Sequence, residues 1–426
     1  MLNDPRSHGL WERTAPSAPD TAVLEGDLSA DVVVIGAGFT GVSAALHLAE
    51  TGVDVAVLEA VEIGYGGSGR NVGLVNAGMW VMPDELPRVL GAEYGNRLLT
   101  QLGDGPSLVF SLIEKHGIEC EAVRAGTLHL GLGRKGLREL EARAAQWQAR
   151  GAPVRLLDKE ETARKVGSTV YAGALLDERA GTIQPLAYVR GLARAAIRAG
   201  ARLFTASPVT AAARNGSRWR VSTPRGSVTA DWIVVASNAY TGSIWPELRT
   251  ELVGLPYFQF ATRPLSPDFL KSVLPERQGA WDTKQVLTSF RLDREGRLLF
   301  GSVGALRGTG TAIHEAWARR SIRRIFPQLP DLEFEAAWFG RIGMSSNNLP
   351  AFHELDRNVV SISGYNGRGI APGTVFGRTL ARYVQGDGRD EMPLPVAPVR
   401  AVPLRKPREA SLELGAQLVH LVEARL

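Results

Sequence analysis

A mostly apolar run at residues 31–35, DVVVI, stops at Gly36 and gives way to apolar positions at helical spacing, Val42, Ala45, Leu46 and Leu48. A continuous apolar run predicts a strand buried on both faces, and the change of period predicts a helix behind a glycine turn. A second strand spans 53–58 and closes on Glu59. Downstream the pattern predicts a helical stretch over 84–116, strands from Glu119, a helix over 135–150, a short strand in PVRLLD, and an amphipathic helix over 185–199 that stops at Gly200. Residues 201–242 alternate strand and turn, with Asn215-Gly216 as a hairpin signal, and their last strand, 232–236, is apolar throughout. Residues 250–335 are strand-rich, and NVVSISGYNGRGIAPGTVFGRTLARYVQG then restores a strand, a glycine loop and a helix.

This alternation predicts an α/β fold. A Rossmann-like cofactor domain is expected in three separated segments, 28–118, 183–248 and 336–395, and an α+β domain on a mixed β-sheet in 119–182 and 249–335. At roughly 150 residues per domain, a chain of 426 suits such a division. Residues 1–27 read as an arm over the cofactor domain, anchored by Trp11. Residues 396–426 read as a helical tail with Leu414, Leu418 and Leu421 on one face. That face is expected to dock on its own chain, the alternatives being a subunit contact or a membrane carrying a quinone.

The first unit carries specific chemistry. Gly36, Gly38 and Gly41 stand in the order G-x-G-x-x-G between strand and helix, with Glu59 about 20 residues on. The first glycine permits the turn, the second lets backbone approach a pyrophosphate, and the third lets helix pack on strand. The helix N-terminus offers free N–H groups to phosphates, and Glu59 can accept hydrogen bonds from a ribose. A dinucleotide is therefore expected, held by these residues with Ala37, Thr40 and Ala60 beside them. Two other stretches fit the same string, GLGRKG at 131–136 and GYGGSG at 64–69. The first follows a short strand and fills its turn with Arg134 and Lys135, and no buried strand feeds the second, so neither is expected to form a second nucleotide site.

Composition excludes more than it assigns. The chain is 44% hydrophobic and 22% charged, and its net charge of +5 comes from 49 basic and 44 acidic residues that are mixed along the sequence. Without a sustained basic tract, nucleic acid is not an expected partner. The single cysteine, Cys120, allows no internal disulfide, the seven histidines show no paired ligand spacing, and no metal is expected. No apolar run reaches the ~18 residues of a membrane span and the N-terminus has no signal-peptide core, so a cytoplasmic protein is expected.

Five segments together resemble the FAD-dependent amine and amino-acid oxidoreductases of the D-amino-acid oxidase superfamily, the group of glycine oxidase and sarcosine oxidase, over about residues 28–388. They are the fingerprint with Glu59, then Gly67-Ser68-Gly69-Arg70-Asn71, Ser207-Pro208-Val209, Val235-Ala236-Ser237-Asn238-Ala239-Tyr240, and Gly364-Tyr365-Asn366-Gly367-Arg368-Gly369-Ile370. The second is similar to a segment of the gamma-glutamylputrescine oxidase-like branch. The resemblance implies non-covalent FAD, since Cys120 lies in no matching motif. It places Gly67, Ser68, Arg70, Asn71, Val72 and Gly73 along the pyrophosphate and flavin, Val209 at the adenine, and Ala236 and Asn238 at a strand end. Gly364, Gly367, Arg368, Gly369 and Ile370 are placed at the flavin pyrimidine ring. Glycines in distant loops suit a cofactor this long, because they allow close backbone approach.

The implied activity is oxidation of the C–N bond of an amine, amino acid or imino acid to the imine by hydride transfer to flavin N5, with electrons passed to O2, a quinone or another acceptor. The branch suggests gamma-glutamylated polyamines or a cyclic imino acid such as L-pipecolate. No acid–base side chain is obligatory, because the flavin carries the redox step. Arg341 is the first candidate for a substrate carboxylate, since its segment resembles the family's substrate-binding strand. It stands one place early, however, and a one-residue slip on a strand reverses the face, so a structural ion pair is its alternative. Arg291 and Tyr257 are further substrate-side candidates on predicted strands, and Met79 and Trp80 follow the flavin-side loop. His116 and His129 read as structural, and oxidase or dehydrogenase and the oligomeric state are left open. The alternative class is a non-catalytic or RNA-associated FAD-binding protein.

Overall fold

The computed structural model describes residues 8–423. The apolar runs read from the sequence converge on a six-stranded sheet in the order 351–356, 359–363, 232–235, 32–35, 55–58, 202–204. All neighbours are parallel except the first pair, which is antiparallel. The helices Phe39–Ala49 and Ile370–Val384 pack against each other beside it. Their close approach depends on Gly377, where a Cβ would lie 2.5 Å from the Ser43 Cβ and the Thr40 carbonyl. A four-stranded sheet flanks this layer and contains the antiparallel pair Ala211–Asn215 and Arg218–Ser222 around the expected Asn215-Gly216 turn.

An eight-stranded mixed sheet forms the second layer, in the order 334–344, 253–264, 297–303, 288–292, 279–282, 127–131, 173–177, 154–157. One sequence boundary needs correction here. Residues 336–344, assigned to the cofactor segment, belong to this sheet, because Phe334–Met344 pairs antiparallel with Val253–Pro264 along its length. Strand alternation divides the sheet's faces. Phe258, Phe260, Phe290 and Phe300 pack with Trp317 and Phe326 of the outer layer. Gln259, Ser289, Trp281 and His129 share the opposite face, as the pairings Gln259↔Gly301, Ser289↔Gly301, Trp281↔Ser289 and Trp281↔His129 require.

The arm lies on the cofactor layer. Trp11 is fully buried, and its indole Nε1 donates to the Asn71 carbonyl at 2.9 Å. At the other end, the helix Arg405–Val422 docks by a different face from the one expected. Ala416 and His420 are its buried residues, whereas Leu414, Leu418 and Leu421 are 58%, 56% and 36% exposed. The receiving surface is aromatic and polar. His420 stacks on Trp317 with centroids 3.9 Å apart, and its Nδ1 is 2.8 Å from Nδ1 of His314. No helix among the described residues is long and apolar enough to cross a membrane.

Candidate functional site

A cavity of about 420 Å³ opens at the carboxyl ends of the parallel strands, lined by their last residues Ile35, Leu58 and Val235. In open α/β sheets this crevice is where ligands bind. Gly36 turns the chain at φ +103°, and a Cβ on Gly41 would stand 1.9 Å from the Gly36 carbonyl oxygen. The glycine loop is fixed to the helix start by the Ser68 hydroxyl, which accepts from the Phe39 N–H at 3.0 Å. Glu59 accepts from the Ala37 N–H at 2.8 Å and the Val61 N–H at 3.0 Å. Burial pushes its carboxyl above the usual range, and each carboxylate oxygen has a second acceptor site for a ribose hydroxyl.

The far end of the cavity is shaped by two asparagines. Asn238 Oδ1 accepts from the Gly364 N–H at 3.0 Å, while Asn366 donates to the Gly364 carbonyl at 2.6 Å and accepts from the Ser345 N–H at 2.9 Å. These bonds hold Gly367 and Gly369 open to the cavity. The space thus runs from Glu59 and Val209, past Gly38 and Gly67, to the late glycine loop. A cradle bordered by backbone at both ends, with an acid at one of them, fits a long dinucleotide such as FAD.

Of the sequence candidates, Gly36, Gly38, Thr40, Glu59, Ala60, Gly67, Ser68, Asn71, Val209, Ala236, Asn238, Gly367, Gly369 and, at the rim, Arg341 line this cavity. Others stand behind it. Ala37 binds Glu59 through its N–H, Gly41 packs on Gly36, and Arg70 lies over the Tyr65 ring at 4.6 Å. Asn71 also braces its own loop, donating to the Gly67 and Ser68 carbonyls and accepting from the Gly73 N–H. The Val72 carbonyl accepts from Arg291, a Cβ on Gly73 would meet the Ile183 carbonyl, and Gly364, Arg368 and Ile370 are buried in or beside the late loop. Tyr240, Tyr365 and the loop from Thr241 to Trp245 line the cavity and were not singled out from sequence. The loop has no periodicity to find it by; Tyr240 and Tyr365 stand inside quoted motifs.

Two of the three substrate-side candidates are redirected, and the third has its hydroxyl committed. Ile342 reaches toward the late loop, its Cδ1 3.4 Å from where a Gly367 Cβ would be. Arg341 therefore leaves the strand on the other side, where it is exposed at the rim and lies beside Gly254 and Glu409. Arg341 thus borders the cavity at its rim, with its side chain on the outer side of the strand. Arg291 is 1% exposed and donates to the carbonyls of Val72 at 2.7 Å, Ile183 at 2.8 Å and Leu292 at 3.4 Å. It braces the loop 67–73 through the Val72 carbonyl, and burial brings its guanidinium down to about 10. Tyr257 donates to Ser289 Oγ at 3.0 Å and the Gly301 carbonyl at 3.3 Å, and burial pushes its phenol up, so it stays protonated at neutral pH.

Cys120 is buried with its thiol pushed up to about 12, which leaves no thiolate. His8, Glu12 and Glu62 approach one another closely enough to share an ion, but Arg190 already donates to Glu12 at 2.8 Å. The second glycine string, 131–136, is filled by Thr283, whose hydroxyl accepts from the Leu132 N–H at 3.1 Å and stands where a Gly136 Cβ would be.

A family profile described as FAD dependent oxidoreductase, DAO, matches residues 31–383. The chain belongs to the DAO family. It is an FAD-dependent oxidoreductase of the group that oxidises amines and amino acids, and FAD is its cofactor. It is similar to the gamma-glutamylputrescine oxidoreductase of Escherichia coli (strain K12), 34% identical over 85% of each chain, and to a probable oxidoreductase, OrdL, of Rhizobium meliloti, 33% identical over 89% of this chain and 88% of that one. Among solved structures, glycine oxidase from Geobacillus kaustophilus superposes with a TM-score of 0.70 at 21% identity, covering 84% of this chain and 95% of that one. At that identity the superposition shows that this DAO chain shares the fold.

Proposed function

We propose that this DAO protein oxidises the C–N bond of an amine that also carries a carboxylate, with gamma-glutamylated polyamines as the first members of the class. The observation that carries the reading is the 34% identity over 85% of both chains with an oxidoreductase named for gamma-glutamylputrescine. The cavity supports it by running from Glu59 to the late glycine loop, where the strand 334–344 of the eight-stranded sheet contributes Arg341, Ile342 and Gly343 to its lining.

FAD, when bound, supplies the hydride acceptor. The protein's task is to present the amine neutral and aligned. A free alkyl amine with a pKa near 10 is about three units too protonated at pH 7, a cost of roughly 4 kcal/mol. Low-dielectric walls disfavour the ammonium and offset part of that cost. The Trp80 ring and the Ile342 side chain beside Gly367 would provide such walls. No side chain needs to take a proton in the redox step, in keeping with a Tyr257 whose own proton is shared between Ser289 Oγ and the Gly301 carbonyl. Hydrolysis of the released imine by water then gives the aldehyde and ammonia.

Product analysis tests the reading. The holoprotein, supplied with O2 or a quinone-type dye, should convert gamma-glutamylputrescine into a carbonyl product that a hydrazine reagent traps and mass spectrometry identifies. L-Pipecolate and plain putrescine are run beside it. Turnover of putrescine alone, or of L-pipecolate alone, would contradict the proposed class or its first member respectively. Binding of FAD without Cys120, and a cytoplasmic setting, remain part of the same proposal; acid release of intact FAD checks the former.

A further inference from the structure

We propose that Arg368, with Trp281, His129 and Arg143 around it, forms a carboxylate-binding subsite that fixes the anionic end of the amine substrate; this rests on the amine-oxidising reading above. The starting observation is a cluster of buried nitrogen atoms without partners. Arg368 is 8% exposed, Trp281 and Arg143 6%, and His129 4%. Among the described residues, Arg368 Nε, Trp281 Nε1, Arg143 Nε and His129 Nδ1 have no hydrogen-bond partner. Native proteins leave few buried polar atoms unsatisfied, so several in one place call for an ion or ligand.

They do lie in one place. The Arg368 guanidinium carbon is 4.9 Å from the Trp80 ring centroid and 5.5 Å from that of Trp281. His129 stacks on Trp281 at 5.0 Å, and Arg143 reaches the Trp80 carbonyl at 2.8 Å. Arg368 itself uses one nitrogen on the Ala77 carbonyl at 2.7 Å. It also sits between Gly367 and Gly369, both of which line the cofactor cavity, so the cluster adjoins the end where the substrate must meet the cofactor.

Charge supports the same occupant. Among the described residues Arg368 has no carboxylate at ion-pair distance, Glu139 is 4.0 Å from Arg143, and Asp177 is held by Arg179 at 2.7 Å. Burial, followed by the repulsion of Arg143, brings the Arg368 guanidinium down to about 9. Taking such a cation out of water without a counter-charge is costly, and an incoming anion relieves the cost. A carboxylate suits the planar fork of a guanidinium, and an indole N–H adds a further donor. The flanking indoles would cover the carbon chain behind it. Arg341 is exposed at the cavity rim and Arg291 is committed to carbonyls, which favours Arg368 as the anchor.

Titration of the holoprotein with sodium glutarate, against sodium chloride at equal ionic strength, tests the subsite through the visible flavin spectrum. A saturable shift with glutarate and none with chloride is expected, together with competitive inhibition of amine oxidation. In Arg368→Gln the glutarate Kd should rise about 30-fold or more, the low end for truncating one partner of a buried charged pair. Arg368→Lys should restore part of the loss, and Trp281→Phe, which removes one N–H but keeps a ring, should raise Kd roughly three- to tenfold. The KM for a carboxylate-bearing amine should rise in parallel, while that for its decarboxylated counterpart should not. Should Arg368→Gln fail to retain FAD, the lysine and phenylalanine variants decide. Wild-type glutarate affinity in the variants that retain FAD overturns the subsite. Arg368-dependent glutarate binding with no oxidation of any amine would keep the subsite and overturn the amine reading; amine oxidation with no glutarate shift would do the reverse.

Discussion

The two halves of the site are built by different means. On the side of the six-stranded sheet, the cofactor cradle is mostly backbone, with turns at Gly36, Gly367 and Gly369 and side chains such as Asn366 and Ser68 tying one loop to another. On the side of the eight-stranded sheet, the wall is made of side chains, and which of them face inward is decided by register between strands far apart in sequence. A cradle of the first kind tolerates change in any side chain that is not a steric obstacle. A wall of the second kind changes specificity with each substitution.

The comparison breaks most sharply at the fingerprint. Gly38→Val should leave the protein without FAD, because even a Cβ there would stand 2.9 Å from Ser68 Oγ and the branches would enter the pyrophosphate space. Flavin-to-protein ratio after purification is the check, and full occupancy would show that the cradle is not where the cavity puts it.

Arg291 joins the halves, since it reaches from the substrate sheet to the flavin-side loop. Arg291→Ala strands three carbonyls that now share its donors, so a loss of roughly 3 kcal/mol of stability is expected, at about 1 kcal/mol or more for each. Denaturant unfolding measures it. A fall in kcat/KM with unchanged stability would instead return Arg291 to the substrate.

Acid should weaken the substrate half first. His314 and His420 are buried against each other and desolvation lowers them to about 4 and about 3. Arg320, Lys284 and Glu413 are the charges that face them. A folded-state pKa below the unfolded value near 6.5 means that the unfolded chain binds more protons between them, so stability is complete above pH 6.5 and falls as pH drops toward 4. The slope is at most about 1.4 kcal/mol per pH unit for each histidine. His420→Leu should flatten the dependence of Tm on pH between 7 and 5; an unchanged slope would mean that the pair does not titrate there.

The smallest effect is expected at Arg341. It is exposed at the rim, so Arg341→Ala should change kcat/KM by less than about 1 kcal/mol, the scale of surface charge effects. A loss of 2 kcal/mol or more would place its side chain inside the cavity.

The same contrast explains what could be read from the sequence. The cradle was legible because strand, glycine turn, helix and acid lie within thirty consecutive residues, 31–60, and because each glycine does a local steric job. The wall was not. Arg341 stands in a segment that resembles the family's substrate-binding strand, but its face depends on pairing with residues 253–264. Trp281 gave no signal at all, since its neighbour His129 is 152 positions away and meets it only through strand pairing. The tail failed for a related reason: a helix's apolar stripe indicates docking only if the receiving surface is apolar, and here that surface offers Trp317 and His314.

The most direct test of the account is anaerobic mixing of the wild-type holoprotein with gamma-glutamylputrescine and with putrescine, following the visible flavin band. The account predicts that the first bleaches the flavin in the absence of oxygen, at lower concentration and to completion, and that the second does so poorly. A flavin that stays oxidised with both, or that is reduced equally well by both, would contradict it.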